Sequence, residues 1–112
     1  MAFNAGDVIV VNFPGVTGVK RRPAVVLSSN EYHSCRPDVI VGLVTSQTAA
    51  PLTATDHAFL DWEQAGLRKA SAFRSFVATL PRSGHQRVLG RLSERDWEAV
   101  RACVNKALAV LW

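Results

Sequence analysis

Apolar and polar positions along the chain follow two rhythms. Over most of its length, short β-branched runs alternate with turn residues. Residues 7–13 (DVIVVNF) form such a run and stop at Pro14-Gly15, a turn signal. Residues 16–22 (VTGVKRR), with Gly18 among them, read as a loop. Pro23 opens a second run, residues 24–29 (AVVLSS); proline is tolerated at the first residue of a strand because no ladder donor is lost there. Residues 39–44 (VIVGLV) are apolar almost throughout, so both faces of this strand are expected to be buried, and the run ends in Thr45-Ser46-Gln47. Residues 48–55 are small and turn-rich and predict a loop. Shorter strands are expected at 57–60, 71–80 and 87–92. Strands at this spacing predict a small β-barrel or sandwich.

The rhythm changes at Ser93, a good N-cap, with Asp96 three residues on as a short-armed capping-box partner and Leu92 and Trp97 at the staple positions. Trp97, Val100, Val104, Ala107, Leu108 and Leu111 recur at helical spacing, with Glu98, Arg101, Asn105 and Lys106 opposite. The pattern predicts a C-terminal helix of about 20 residues, roughly 30 Å long, packed across the strands. The fold class is therefore mainly β with a C-terminal α-helix, and 112 residues make one domain, 1–112.

Composition narrows the field. At 48% hydrophobic residues, the chain can build a core and is not disordered. No apolar run approaches the ~18 residues of a membrane helix. The first residues, Met1-Ala2-Phe3-Asn4-Ala5-Gly6-Asp7, lack the pattern of a secretory signal, so a cytoplasmic location is expected. Cys35 and Cys103 have no metal-type spacing and read as reduced thiols, one in a loop and one in the core. The formal charge is +4, from 13 Lys and Arg against 9 Asp and Glu. Its distribution matters more than its size. Lys20, Arg21 and Arg22 are consecutive, and between Gln64 and Leu92 stand Arg68, Lys69, Arg74, Arg82, Arg87 and Arg91 without one acid. A solvated face would explain either cluster; together they are the footprint of a site for a polyanion.

The common catalytic constellations are missing from the sequence: no carboxylate pair at motif spacing, no G-x-S-x-G, no His-x-x-x-His and no Cys-x-x-Cys. His33, His57 and His85 read as loop or packing residues. What remains is Arg22 beside a strand start and Thr45 at a strand end, and periodicity alone does not single them out. Such a pair can serve phosphoryl chemistry on RNA, which carries its own nucleophile in the 2′-hydroxyl. An arginine meets phosphate oxygens through parallel donors and stabilises charge on the phosphorane.

The ordered motifs carry more. Residues 6–13 (GDVIVVNF) and 18–28 (GVKRRPAVVLS) resemble the opening of the MazF/PemK toxin family, a G-D-V strand followed by R-P-x-x-V. Residues 39–47 (VIVGLVTSQ) look like its strand ending in Thr-Ser, residues 66–74 (GLRKASAFR) are similar to its G-L-x-x-x-S segment, and residues 88–93 (VLGRLS) match the strand and cap before its last helix. The resemblance implies a small SH3-like β-barrel, usually a homodimer. It implies metal-independent, sequence-specific cleavage of single-stranded RNA, chiefly mRNA, leaving a 2′,3′-cyclic phosphate or 3′-phosphate and a 5′-hydroxyl. No cofactor is called for, and the partner is a cognate acidic antitoxin that blocks the RNA groove. The family's catalytic Arg falls on Arg22 and its catalytic Thr on Thr45. Lys20, Arg21, Ser46, Gln47 and Arg74 are expected RNA contacts, and Thr17 aligns loosely with an assisting hydroxyl of some members. The loop before Arg22 is shorter than in many members, and a slip of one residue there would make Arg21 the working arginine. Phe73 and Phe76 are expected in the core. The alternative is an SH3-like module that binds nucleic acid or peptide without catalysis.

Overall fold

A computed structural model describes residues 3–15, 18–47 and 51–109. Its elements are β1 (Asp7–Gly15), β2 (Gly18–Val26), α1 (Asn30–Cys35), β3 (Asp38–Thr45), β4 (Asp56–Ala58), β5 (Ala72–Pro81), β6 (Arg87–Arg91) and α2 (Glu94–Ala107). The strands form one sheet in the order β4-β5-β3-β2-β1-β6, antiparallel at every pairing. The mainly β fold with a C-terminal helix is as the sequence predicts. The sheet is not closed, since β4 and β6 are its edges and do not pair.

Side chains alternate between two hydrophobic clusters. Val8, Val25, Val44 and Phe73 point to one face and pack with Phe59, Leu92 and the helix residues Val100 and Cys103. Ile9, Val11, Ala24, Val26, Val39 and Val41 point to the other, where Phe3 and Phe13 join them. The full burial of residues 39–44 on both faces expected from their composition holds for Val39, Val41, Gly42 and Val44, while Ile40 and Leu43 are half-buried.

Four local expectations are corrected. Residues 18–22 are not a loop. They are the first half of β2, paired with β1 from Gly15↔Gly18 onward. Pro23 therefore lies inside a strand, opposite Val10. A regular antiparallel ladder accepts proline only where its nitrogen faces away from the partner, so Pro23 turns its missing N–H toward β3. The β2–β3 ladder stops one residue later, at Ala24↔Leu43. Second, a short helix, α1, follows Ser29, whose side chain accepts from the Tyr32 N–H at 3.2 Å. It carries Cys35, exposed, where a loop was expected, and it escapes periodicity because none of its six residues is buried. Third, α2 has 14 residues and ends at the C-cap Leu108. Only Val100 and Cys103 of its apolar residues are buried, Trp97 and Val104 are half-buried, and Ala107 and Leu108 are exposed; Leu111 lies outside the described residues. Fourth, Phe73 is buried as expected but Phe76 is 49% exposed. The β3–β5 register jumps from Gly42↔Val77 to Leu43↔Arg74, so Ser75 and Phe76 form a bulge that turns Phe76 out. No helix among the described residues is long and apolar enough to cross a membrane.

Candidate functional site

Arg22 and Thr45, singled out in sequence, both lie just beyond the end of the β2–β3 ladder. The hydrogen-bonded register runs Val26↔Val41, Val25↔Gly42, Ala24↔Leu43. It stops there, two residues short of Arg22 on β2 and of Thr45 on β3, next to Pro23, which has no N–H to donate toward β3. Both side chains belong to the face of Ala24 and Leu43, by the two-residue period of a strand. Lys20 lies on the same face, opposite Phe13. Arg74 joins it from β5, directly across from Leu43. Arg21 points the other way, and its guanidinium donates to Asn12 Oδ1 at 3.4 Å and to the His85 carbonyl. The uncertainty between Arg21 and Arg22 in sequence thus becomes a difference of face: Arg22 shares Thr45's side and Arg21 does not.

The groups at this mouth have donors to spare. Thr45 is 8% exposed, and its Oγ1 accepts the Gln47 N–H at 3.1 Å, which fixes the oxygen and leaves the hydroxyl proton free to donate. Among the described residues the Arg22 side chain makes no hydrogen bond or ion pair. Arg74 is half-buried with an Nε that has no partner. Ser46 and Gln47 are exposed just past β3. Phe76 packs edge-on against Phe13, ring centroids 5.5 Å apart at 82°, so an exposed aromatic borders the same face. No sequence signal marks Phe76 for this position, because the bulge depends on pairing with β3. Thr17 and residues 48–50 of the adjoining loop lie outside the described residues.

The charge clusters separate into roles. Arg82 is a cap: its side chain donates to the carbonyls of His33, Arg36 and Pro37 at 3.2, 2.7 and 3.3 Å, around the end of α1. Arg91 pairs with Asp7 at 3.1 Å. Arg68, Lys69 and Arg87 make no side-chain hydrogen bond or ion pair among the described residues. So the acid-free stretch of sequence is partly structural and partly unpartnered.

The segment leading from β4 to β5 is held by a separate polar knot. Asp96, fully buried at the start of α2, accepts the N–H groups of Leu60 and Asp61 at 3.0 and 2.9 Å and the His57 Nε2–H at 2.8 Å. It thus receives from another segment and does not close a capping box on Ser93, whose Oγ does accept the Asp96 N–H at 3.3 Å. Burial pushes the Asp96 carboxyl up, but the hydrogen bonds from Leu60, His57 and Asp61 outweigh it and hold the group below its ordinary value. Asp61 is held lower still, first by the two-pronged bond from Arg95 at 2.7 and 2.8 Å and then by Ser93 at 2.6 Å. Burial raises the Cys103 thiol. His33 bonds Ser28 Oγ at 2.5 Å. Among the described residues no group of three or more His, Cys, Asp or Glu is placed to hold a metal ion.

Comparison with known proteins bears on the family and the fold. Residues 4–108 match the model of the PemK-like, MazF-like toxin of type II toxin–antitoxin systems. No curated protein matches the sequence. Among solved structures, MazF from Deinococcus radiodurans superposes with a TM-score of 0.77 at 21% identity, over 98% of this chain and 99% of that one. A mycobacterial endoribonuclease in complex with its cognate antitoxin gives 0.76 at 18% identity, over 99% of each chain. The Mycobacterium tuberculosis toxin MazF-mt6 gives 0.71 at 21%, over 95% of this chain and 99% of that one. At these identities the superpositions establish the fold.

Proposed function

The chain belongs to the PemK-like, MazF-like toxin family of type II toxin–antitoxin systems, and on that premise we propose that it is a cytoplasmic endoribonuclease that cuts single-stranded RNA at the Arg22–Thr45 mouth. The observation that supports this reading is that Arg22 and Thr45 lie on the same sheet face, each two residues beyond the last β2–β3 pair Ala24↔Leu43, with the guanidinium unpartnered among the described residues and the Thr45 oxygen fixed by the Gln47 N–H. In the reaction the 2′-hydroxyl oxygen of the RNA attacks the adjacent phosphorus. A P–O2′ bond forms, the P–O5′ bond breaks, the 2′-proton leaves to a base, and the departing O5′ takes up a proton. Products are a 2′,3′-cyclic phosphate and a 5′-hydroxyl. Arg22 meets the non-bridging oxygens and stabilises the charge that grows on them; Thr45 donates to one of them and keeps the phosphate in line. Lys20, Ser46, Gln47 and Arg74 hold the flanking strand, mainly through its phosphates, which position without reading sequence. The chemistry needs no metal, because nucleophile and electrophile both belong to the RNA.

A relative was solved with its cognate antitoxin. For this chain, an acidic antitoxin that covers the same basic mouth is the expected inhibitor, and a homodimer the expected assembly. The test incubates wild type, Arg22→Ala and Thr45→Ala with mixed-sequence single-stranded RNA in EDTA. Wild type should cut, and Arg22→Ala should lose roughly 10²–10³-fold in rate with an unchanged melting temperature. Full cleavage by both variants would overturn the assignment, and RNA binding without any cleavage by wild type would favour a pure binding module.

A further inference from the structure

On the opposite side of β2 from Arg22 lies a second recess. It measures about 320 Å³ and runs between the 66–71 segment and the β1–β6 edge. Its rim carries Arg68, Lys69 and Arg87, and no acid is among its lining residues. The three cationic groups come from two separate segments, and the fold brings them to one place. Gly66 makes this possible. Its φ of +80° is the left-handed region, and a Cβ there would stand 2.2 Å from the Leu89 carbonyl oxygen, so only glycine lets the turn lie against β6. The knot around Asp96 and Asp61 then fixes the preceding residues to α2. Ser71 Oγ donates to the Lys69 carbonyl at 2.9 Å and holds the far end of the segment.

The three cations are exposed around one recess. Neighbouring arginines in the same stretch of sequence have found acids or carbonyls, as Arg91 and Arg82 do. Arg68, Lys69 and Arg87 have none among the described residues. An anionic ligand would give all three a partner. Its identity is suggested by where the recess begins. Pro23 and Ser46 line it, and each is the immediate chain neighbour of Arg22 or Thr45. The β2–β3 ladder ends at Ala24↔Leu43, so both lining residues stand beyond its last pair, one residue along the chain from the proposed catalytic pair. The apolar floor formed by Val10, Leu67 and Leu89 suits an unstacked base, as single-strand RNA readers require.

We propose that this recess takes the phosphates of the same RNA strand beyond the cleaved step, with Arg68, Lys69 and Arg87 as positioning residues. The proposal rests on the ribonuclease reading and extends the RNA path to a face that the catalytic pair does not occupy. An acidic peptide is the competing occupant. RNA is favoured because Pro23 and Ser46, the chain neighbours of Arg22 and Thr45, line the recess, so a strand held at the mouth has its next phosphates within the reach of its cations.

The experiment compares wild type with Arg68→Gln/Lys69→Gln/Arg87→Gln, and with Arg68→Lys/Arg87→Lys as the charge-conserving control. Cleavage of mixed-sequence single-stranded RNA is followed across salt concentrations, with thermal melting of each variant and binding of poly-L-glutamate as parallel readouts. At about 0.1 M salt the triple variant should raise KM roughly ten- to a hundred-fold with kcat within about twofold, and the log–log salt slope should fall by about 2, near 0.7 per lost phosphate contact. The lysine control should restore both. Unchanged KM and slope in a folded triple variant would overturn the proposal, as would a loss confined to poly-L-glutamate binding. Should wild type itself fail to cut RNA, the ribonuclease reading falls, and this one with it; a wild type that cuts while the triple variant matches it removes the recess alone.

Discussion

Two polar regions of this small sheet are built on opposite terms. At the start of α2, Asp96 is fully buried and receives three donors, while Asp61 receives Arg95 and Ser93. At the β2–β3 mouth, Arg22 has no side-chain partner among the described residues, Thr45 keeps a free proton, and Arg74 has an Nε with nothing to donate to. Buried polar groups are normally paired because an unpaired one costs a large share of its solvation. The first region obeys that rule and ties the chain together. The second breaks it at Arg74, whose Nε is buried without a partner, and leaves the half-buried Arg22 to water until a ligand replaces it. Partnered charge thus reads as architecture here, and unpartnered charge as capacity to bind.

The largest effect that can break this contrast comes from Asp96→Ala. It strands the Leu60 and Asp61 N–H groups and the His57 ring in a closed site, and should lower unfolding free energy by about 3–5 kcal/mol in urea titrations. RNA cleavage per folded molecule should stay near wild type, the mirror image of Arg22→Ala. If Asp96→Ala leaves the urea midpoint in place, the knot is ornamental and the contrast fails.

Acid should attack the same region. The carboxyls of Asp96 and Asp61 are both held below the ordinary value of 3.8. A depressed carboxyl stabilises the folded state fully above its unfolded pKa, and the contribution fades as pH falls through the folded one. Wild-type stability should therefore hold on moving from about pH 7 to about pH 5 and drop below about 3.8. Asp96→Ala should show a shallower acid limb, since part of what acid removes is already gone. Equal limbs for the two proteins would argue against the depressed Asp96.

The sequence is transparent for this molecule wherever the physics is local. Residues 7–13 and 39–44 are strands because β-branched runs carry their own signal, and Ser93 caps α2 because a hydroxyl before an apolar stripe is a local device. It is opaque where pairing decides. Lys20, Arg21 and Arg22 have no strand signature, yet the register with residues 11–13 makes them β2. Phe76 has the composition of a core residue, yet a two-residue bulge exposes it. Asp96 reads as half of a capping box, and only the tertiary position of residues 57–61 reveals its partners. At the mouth, Arg22 and Thr45 stand out in sequence only through family resemblance, since nothing in 23 residues of separation announces a shared sheet face. The recess on the other face joins segments with no periodic relation.

Arg82 gives the smallest and sharpest test of sorting charges by their partners. In sequence it is one of six basic residues between Gln64 and Leu92, indistinguishable from Arg68 or Arg87. In the fold it donates to three carbonyls around the end of α1, groups that the helix itself leaves without donors. Its own backbone N–H also bonds the Pro37 carbonyl at 3.1 Å, and that bond survives truncation of the side chain. Arg82→Ala should therefore cost about 1–2 kcal/mol of stability, less than the loss of Asp96, because the freed carbonyls can turn to water. RNA affinity and its salt slope should not move, although the net charge falls by as much as in Arg87→Gln. A variant that keeps its stability and instead binds RNA more weakly would show that net charge, and not the pattern of partners, decides which arginines meet the ligand.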